Sequence, residues 1–436
     1  MKFYAIGGYN EVGKNMSAVE INGEVVILDM GVYMDKIITL EEEDRKISTK
    51  EMIQCGALPD DHILEGKNIA AIVLSHGHLD HIAAVPRMAE RYKCPIIATP
   101  YTCEILKNLL KDAGVGYLIK SLFPLSAGET ASISHNFEVE FIHMTHSIPH
   151  TALIALHTKE GIIAYLNDYK LDNNPTLGEK PDYKRIKQLG KQGVKVLVSE
   201  CVRVADEART PPEYVAQVLV EDAIDRAYEE NTAVVITTFA SQIARINSII
   251  KANKNQREII MLGRALGNYL VPASRLGLIN LKNIKIFNRQ KSIAKALIDV
   301  QANPENYLML ATGNQGEPNA ILSRMSRKEY EFRFRKEDQV IFSSEVIPNP
   351  LNESNRYTLD QNLREQGVRM LQHVHVSGHA RREDHRDMLR MINPEYVFPN
   401  HGETERLASY ASLAMDEGYR MGDSVKVLYN GAVVDL

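Results

Sequence analysis

The 436-residue chain contains no tryptophan, only four cysteines and no long apolar run. Cys55, Cys94, Cys103 and Cys201 are scattered and form no C-x-x-C pair. That spacing excludes a disulfide framework and a cysteine zinc site, and predicts a reducing, cytoplasmic setting. No stretch approaches the ~18 apolar residues of a membrane span, and Met1-Lys-Phe-Tyr-Ala-Ile-Gly-Gly lacks the apolar core of a secretory leader. No membrane association is expected. A net charge of −5 excludes a molecule that binds polyanions over its whole surface, so nucleic-acid contact would require a local basic groove. One further absence is regional. Residues 202–350 hold no histidine, and all fourteen lie before or after them.

What is present is ordinary in bulk. Hydrophobic content of 44% and charged content of 25% are those of a globular protein, and the length suggests at least two domains. The informative stretch is Ser75-His76-Gly77-His78-Leu79-Asp80-His81. It follows Ile69 to Leu74, a short β-branched apolar run that reads as a buried strand. In extended backbone residues i and i+2 point the same way, so His76 and His78 can share one ion. Asp80 and His81 lie where the chain turns into an expected helix, Ile82–Tyr92, and face a second point. Clustered ionisable groups are costly without a partner, so two adjacent metals explain the spacing better than packing does.

The remaining ligand-type residues recur at strand ends. Asp29 closes the strand Val25–Leu28 and is either a turn residue or the support of a metal-bound histidine. Val139–Ile142 leads into His143, His146 and His150, one of which is expected to complete the first site, with His146 preferred. Asp168 follows the strand 161–166 and is either a turn aspartate or a bridge between metals. Val194–Val198 leads to Glu200. Gln372–Val376 reads as a strand ending in Ser377-Gly378-His379, followed by a basic helix with Arg381, Arg382 and Arg386. Tyr396–Phe398 ends in Asn400-His401-Gly402-Glu403. Between these, residues 202–350 alternate strands and helices, the pattern of a parallel α/β sheet. They read as a domain inserted into the first, with 1–201 as its first part and 351–436 as the return segment that brings histidines back to the same site. Residues 35–62, with the acidic run Glu41 to Asp44, read as a surface insertion with some helix. The stretch Ala311 to Pro318 (ATGNQGEP) is a glycine-rich strand-to-helix turn of the kind that can offer amides to a phosphate. No Gly-Lys-Ser/Thr follows it, so it is not a Walker loop.

The set His76-x-His78-x-Asp80-His81, His146, Asp168 and His401 resembles the ligand set of the metallo-β-lactamase superfamily. The inserted domain, with Glu200, His379 and His401, resembles the β-CASP branch, and within it the ribonuclease J family. The stretches that carry this are GGYNEVGKN (7–15), Ser75–His81, TFAS (238–241), TGNQGEP (312–318), IFSS (341–344), VSGHA (376–380) and NHGE (400–403). The likeness covers nearly the whole chain. Two departures stand out. The chain ends soon after His401, like the shorter archaeal form, and Cys201-Val202-Arg203 stands where many relatives carry Ser-Thr-Asn.

The resemblance implies an αββα metallo-β-lactamase sandwich with an inserted β-CASP α/β domain. It implies one zinc on His76, His78 and His146, a second on Asp80, His81 and His401, and Asp168 bridging, with manganese able to use the same donors. It implies a two-metal-activated hydroxide attacking RNA phosphodiesters, with His379 at the scissile phosphate and oriented by Glu200. Ser377, Gly378 and the turn Gly313, Asn314, Gln315, Gly316 are expected to anchor phosphates. The expected activity is 5′→3′ exonucleolytic with preference for a 5′-monophosphate, in RNA decay and maturation. Single-stranded RNA, a second copy of the chain and RNA-decay proteins are the expected partners. An endonuclease of the cleavage-factor type and a non-catalytic RNA-binding scaffold are the alternatives.

Overall fold

The computed structural model describes residues 1–42 and 47–436. The acidic run, Glu41 to Asp44, falls outside the described side chains; the helix content expected within 35–62 is present as Met34–Glu42 and Thr49–Gln54. The chain forms two compact units. The first comprises Met1–Asn173, Glu179–Thr210 and Gly378–Leu436, and the second comprises Asn174–Gly178 and Pro211–Ser377.

The first unit contains two sheets. One has seven strands in the order Ala432–Asp435, Lys2–Gly7, Met16–Ile21, Glu24–Leu28, Asn68–Leu74, Ile96–Ala98 and Leu122–Pro124. The other has six, in the order Tyr396–Asn400, Val194–Glu200, Gly161–Leu166, Ala152–Thr158, Glu138–His143 and Thr130–Ser132. Alternating residues of both sheets meet in a shared apolar layer that includes Phe3, Val19, Val26, Val73, Phe141, Ile154, Tyr165, Val196 and Phe398. The opposite face of the six-stranded sheet packs Leu153, Ala164 and Leu197 against Ile186, Met388, Leu389 and Leu407. Those residues lie on the helices Tyr183–Gln192, Arg382–Ile392 and Thr404–Asp416. The buried stripe Ile105, Leu106 and Leu110 of helix Pro100–Asp112 completes the αββα sandwich.

The return segment was legible. The strand Tyr396–Asn400 pairs in parallel with Val194–Glu200, register Glu200↔Asn400, and so completes the first unit. Its predicted starting point was not. The second unit runs to Ser377 rather than 350, because helix Pro350–Glu365 buries Leu359 and Leu363 in the second core and Arg369–Leu371 adds a parallel edge strand there. That short strand replaces the expected Gln372–Val376, which is irregular. The expected helix Ile82–Tyr92 is also broken, into Leu79–Ile82, Val85–Met88 and a 3₁₀ turn. Pro86 has no N–H to continue the ladder and sits instead in the first turn of a new helix.

The second unit is a six-stranded, all-parallel sheet ordered Lys285–Phe287, Glu258–Leu262, Tyr307–Ala311, Val234–Thr237, Gln339–Phe342 and Arg369–Leu371. The alternation of strands and helices predicted this directly.

Candidate metal centre

The predicted ligands lie just beyond the C-terminal ends of strands of the first unit, with Asp80 and His81 on the short helix Leu79–Ile82. His76 and His78 follow Asn68–Leu74, His146 follows Glu138–His143, Asp168 follows Gly161–Leu166, and His401 follows Tyr396–Asn400. The parallel registers Leu166↔Ser199 and Glu200↔Asn400 set Asp168, Glu200 and His401 side by side across three adjacent strands. His78 precedes the short helix Leu79–Ile82, which accepts its start through Ile82 N–H to His78 O at 3.1 Å. That turn swings Asp80 and His81 away from His76 and His78, as the spacing predicted.

Three groups share Asp168, each with donor atoms within 4.8 Å of one another: the two donor sets His76, His78, His146, Asp168 and Asp80, His81, Asp168, His401, and the acid–imidazole group Asp168, Glu200, His379. In the first set Asp168 Oδ2 lies 3.4 Å from His76 Nε2, 3.8 Å from His78 Nδ1 and 3.3 Å from His146 Nε2. In the second, His401 Nε2 lies 3.2 Å from Asp168 Oδ1 and 3.6 Å from Asp80 Oδ2, and His81 Nε2 lies 3.5 Å from Asp80 Oδ2. Such separations suit a small cation at ~2.0–2.2 Å from each donor. His143 and His150, the competitors of His146, are elsewhere: His143 Nε2 bonds Glu179 O at 2.9 Å, and Tyr101 N–H donates to His150 Nδ1 at 3.3 Å.

The electrostatics fit a cation. Burial pushes His76 well down and His146 down to about 4, leaving neutral imidazoles with free lone pairs. Burial works against a charged Asp168, but His401, His81 and His379 outweigh it and hold the carboxyl well below its ordinary range. Asp168 Oδ1 is buried and has no hydrogen-bond partner among the described residues. A buried carboxylate oxygen left so is expensive, and a metal ion between the two donor sets would satisfy it.

Outer partners orient the ligands, and these were mostly missed by sequence reasoning. Asp29 accepts from Ser75 N–H at 2.8 Å and Ser75 Oγ at 2.9 Å, and lies 2.7 Å from His81 Nδ1, the contact that a supporting role would need. Ser75 Oγ also lies 3.0 Å from His76 Nδ1. Asn15, fully buried, places its side-chain nitrogen 2.8 Å from His401 Nδ1 and 3.2 Å from the Asp80 carbonyl. Its signal in the sequence is the stretch GGYNEVGKN, residues 7–15. Thr145 O accepts Lys170 N–H at 2.8 Å and its hydroxyl donates to Lys170 O at 2.6 Å, which ties the His146 loop to the Asp168 loop. Asp168 and His401 adopt left-handed φ of 37° and 57°, strain of the kind found at functional sites.

Beside Asp168 stands the pair Glu200 and His379, with His379 Nδ1 3.2 Å from both Glu200 oxygens and 3.8 Å from Asp168 Oδ1. Burial alone would push the imidazole down, but Glu200 and Asp168 outweigh it and raise it to about 9. Glu200 is fully buried and also accepts Val202 N–H at 3.1 Å and Ala380 N–H at 3.3 Å. The Gly378 carbonyl takes His146 Nδ1 at 2.7 Å, so Gly378 orients a candidate ligand. Ser377 is the last residue of the second unit.

The turn Gly313–Gly316 belongs to the second unit and is engaged there. Gly316 N–H donates to Gly313 O, Gln315 N–H donates to Glu317 at 3.2 Å, and the Gln315 amide donates to Glu345 O at 2.8 Å. Arg356 Nη1 donates to Asn314 O at 3.2 Å. Of the basic residues after His379, Arg382 pairs with Asp416, and Arg386 with Glu383 and Glu417.

The sandwich and its buried histidine–aspartate cluster define a metallohydrolase of the metallo-β-lactamase superfamily, whose profile matches residues 9–184. Residues 231–359 match the ribonuclease J β-CASP domain, and 366–427 match the Zn-dependent metallo-hydrolase RNA specificity domain. Ribonuclease J of Pyrococcus abyssi is 47% identical over all of this chain and 97% of the relative, and that of Methanocaldococcus jannaschii is 45% identical over 99% and 98%. The chain belongs to the ribonuclease J family. A crystal structure of a protein of unknown function from Enterococcus faecalis matches with a TM-score of 0.67 at 15% identity, over 100% of this chain and 99% of that one, and shares the fold. Among the described residues no helix is long and apolar enough to cross a membrane.

Proposed function

We propose that this protein is a metal-dependent ribonuclease that hydrolyses RNA phosphodiesters, mainly 5′→3′ from a 5′-monophosphate end, with two zinc ions. Manganese would be accepted by the same donors. The observation that carries the reading is Asp168, a buried carboxylate shared by two donor sets and lacking a hydrogen-bond partner at Oδ1 among the described residues. His76, His78 and His146 would hold one ion, Asp80, His81 and His401 the other, and Asp168 both. Bound there, such a pair lowers the pKa of water and offsets charge on both oxygens of an in-line displacement. The chain's own groups supply the proton chemistry. His379, charged beside Glu200, would meet the scissile phosphate and protonate the departing 3′-oxygen. Glu200 keeps that ring in one orientation, since its second contacts are backbone amides that cannot move independently. Ser377, Gly378 and Gly313–Gly316 remain the proposed phosphate contacts. Because Gln315 and Gly316 amides are already engaged, that role for the turn would fall to its other groups.

The test uses single-stranded RNA of one sequence bearing 5′-hydroxyl, 5′-monophosphate or 5′-triphosphate, labelled at the 3′ end, with His379→Ala as control. Loss of full-length monophosphorylated RNA without discrete labelled fragments, absent in the control, is expected. Discrete internal cuts insensitive to the 5′ end would move the protein to the endonuclease reading. Metal binding without cleavage would leave a scaffold or a DNA substrate.

A further inference from the structure

Behind the metal centre lies a buried imidazole that the chemistry above does not use. His385 is fully buried on helix Arg382–Ile392. Its Nδ1 lies 2.8 Å from the Tyr169 hydroxyl, and its ring meets Tyr169 and Tyr410 edge-on, with centroids 5.4 and 5.0 Å apart. Tyr169 and Tyr410 are themselves fully buried. These contacts join three segments that each carry a site residue. Tyr169 directly follows Asp168, and its N–H reaches Glu200 Oε1 at 3.4 Å. The helix of His385 begins at Arg382, three residues after His379, and the helix of Tyr410 begins at Thr404, three residues after His401.

The cost of this arrangement is informative. His385 Nε2 is buried with no side chain hydrogen-bonded to it among the described residues, and the buried Tyr410 hydroxyl lies beside Ser199. A half-satisfied polar group in a core is worse for stability than an apolar side chain of similar volume. Stability is therefore a poor reason for an imidazole here. A geometric reason is available: Asp168 sits in a left-handed conformation, φ 37°, sparsely populated for any residue but glycine, so a fixed neighbour helps to hold it there. The side chain of the next residue is the natural anchor, and its polar end is held by His385.

We infer that His385 is a positioning residue: through the Tyr169 hydroxyl it pins the main chain at Asp168 and so sets the bridging carboxylate against His379 and His401. This rests on the metal-centre reading above. Burial pushes the imidazole down to about 4, so it serves as a neutral hydrogen-bond partner.

The test compares the wild type with Tyr169→Phe/His385→Leu, which removes both polar partners together, and with His385→Asn, whose amide can stand in for Nδ1. Three quantities are read: the Tm of the chelator-treated protein, zinc affinity by competition with a chromophoric chelator, and kcat and KM on 5′-monophosphorylated RNA. The expected result for the double variant is a metal-free Tm equal to or above the wild type, with zinc affinity about 10–100-fold weaker and kcat reduced more than KM is changed. The asparagine variant should recover much of the zinc affinity. A double variant that loses Tm and zinc affinity in parallel would show a packing role only, and one with unchanged zinc affinity and kcat would refute the inference. If the wild type binds zinc but cleaves no RNA, the ribonuclease reading fails, while the affinity series still decides the role of His385.

Discussion

Asp29→Asn isolates what an outer carboxylate does for the metal centre. The native side chain is fully buried and takes three contacts: Ser75 N–H on Oδ1, Ser75 Oγ on Oδ2, and His81 Nδ1 2.7 Å from Oδ2. A hydrogen-bond-accepting oxygen beside Nδ1 keeps the ring proton there and leaves Nε2 bare, facing Asp80 and Asp168 at 3.5 and 3.4 Å. In the asparagine variant Oδ1 still accepts the Ser75 amide, and the Ser75 hydroxyl can rotate to accept. The new NH₂, however, meets Nδ1 as a donor, which forces the ring proton onto Nε2, the metal-facing atom. Folding should lose only about 1 kcal/mol, the worth of one ordinary hydrogen bond. Metal affinity at the Asp80–His81–His401 end should fall about 10–100-fold, or about 1.4–2.8 kcal/mol. Zinc per chain, measured after dialysis against limiting free zinc, should drop from two towards one, while Tm of the metal-free protein barely moves. Two zinc ions retained at unchanged affinity would refute this account of His81.

Other consequences are equally direct. Burial opposes charge on Glu140, but Arg185 and His157 outweigh it and lower it to about 2. A folded value below the unfolded one means that stability is present above about pH 4.5 and lost as pH falls towards 2. The contribution is roughly 2–3 kcal/mol, and Glu140→Gln should flatten the acid limb of a Tm-versus-pH curve. Gly31 packs so closely that a Cβ would stand 1.6 Å from the Asp80 carbonyl oxygen. Gly31→Ala should therefore cost roughly 3 kcal/mol or more and abolish binding of the second zinc, whereas Gly116→Ala, whose Cβ meets nothing nearer than 3.8 Å, should change stability by less than about 0.5 kcal/mol. In the second unit, fully buried Arg245 grips Glu213 at 2.7 and 3.2 Å and donates to Ser343 O at 2.9 Å. Urea unfolding should show Arg245→Met costing about 3–5 kcal/mol and Arg245→Met/Glu213→Leu recovering most of it, because the loss comes chiefly from the carboxylate left behind.

How much of this could be read from the sequence depended on whether a residue type carries its own explanation. Four ligand-type groups between His76 and His81 have no cheap packing role, so chemistry was the economical reading. The return of His379 and His401 after a histidine-free stretch likewise implied a chain that comes back to its first domain. Strand–helix alternation gave the parallel sheet of the second unit, because only crossover connections produce it. The boundary at Ser377 carried no such mark. Residues 351–377 form an amphipathic helix and a three-residue edge strand, and neither differs in composition from the return segment. The choice among His143, His146 and His150 was open for a related reason. Loops have no period, so side-chain direction there is set by distant partners, here the Gly378 carbonyl and Asp168.

Asp168 shows where local reading ends. Asn-Asp after a strand is what an ordinary turn looks like, and a left-handed φ at aspartate is compatible with one. Its role becomes visible only when residues far apart in the chain converge: His76, His78 and His146 in one set, Asp80, His81 and His401 in the other, Glu200 and His379 beside it. The same holds for the groups that keep it there. Asn15, Ser75, Thr145 and His385 are unremarkable polar residues in sequence, and each is buried in the fold. Buried polar groups in this number around one carboxylate specify a position closely, which a shared metal ligand would require and a packed core does not.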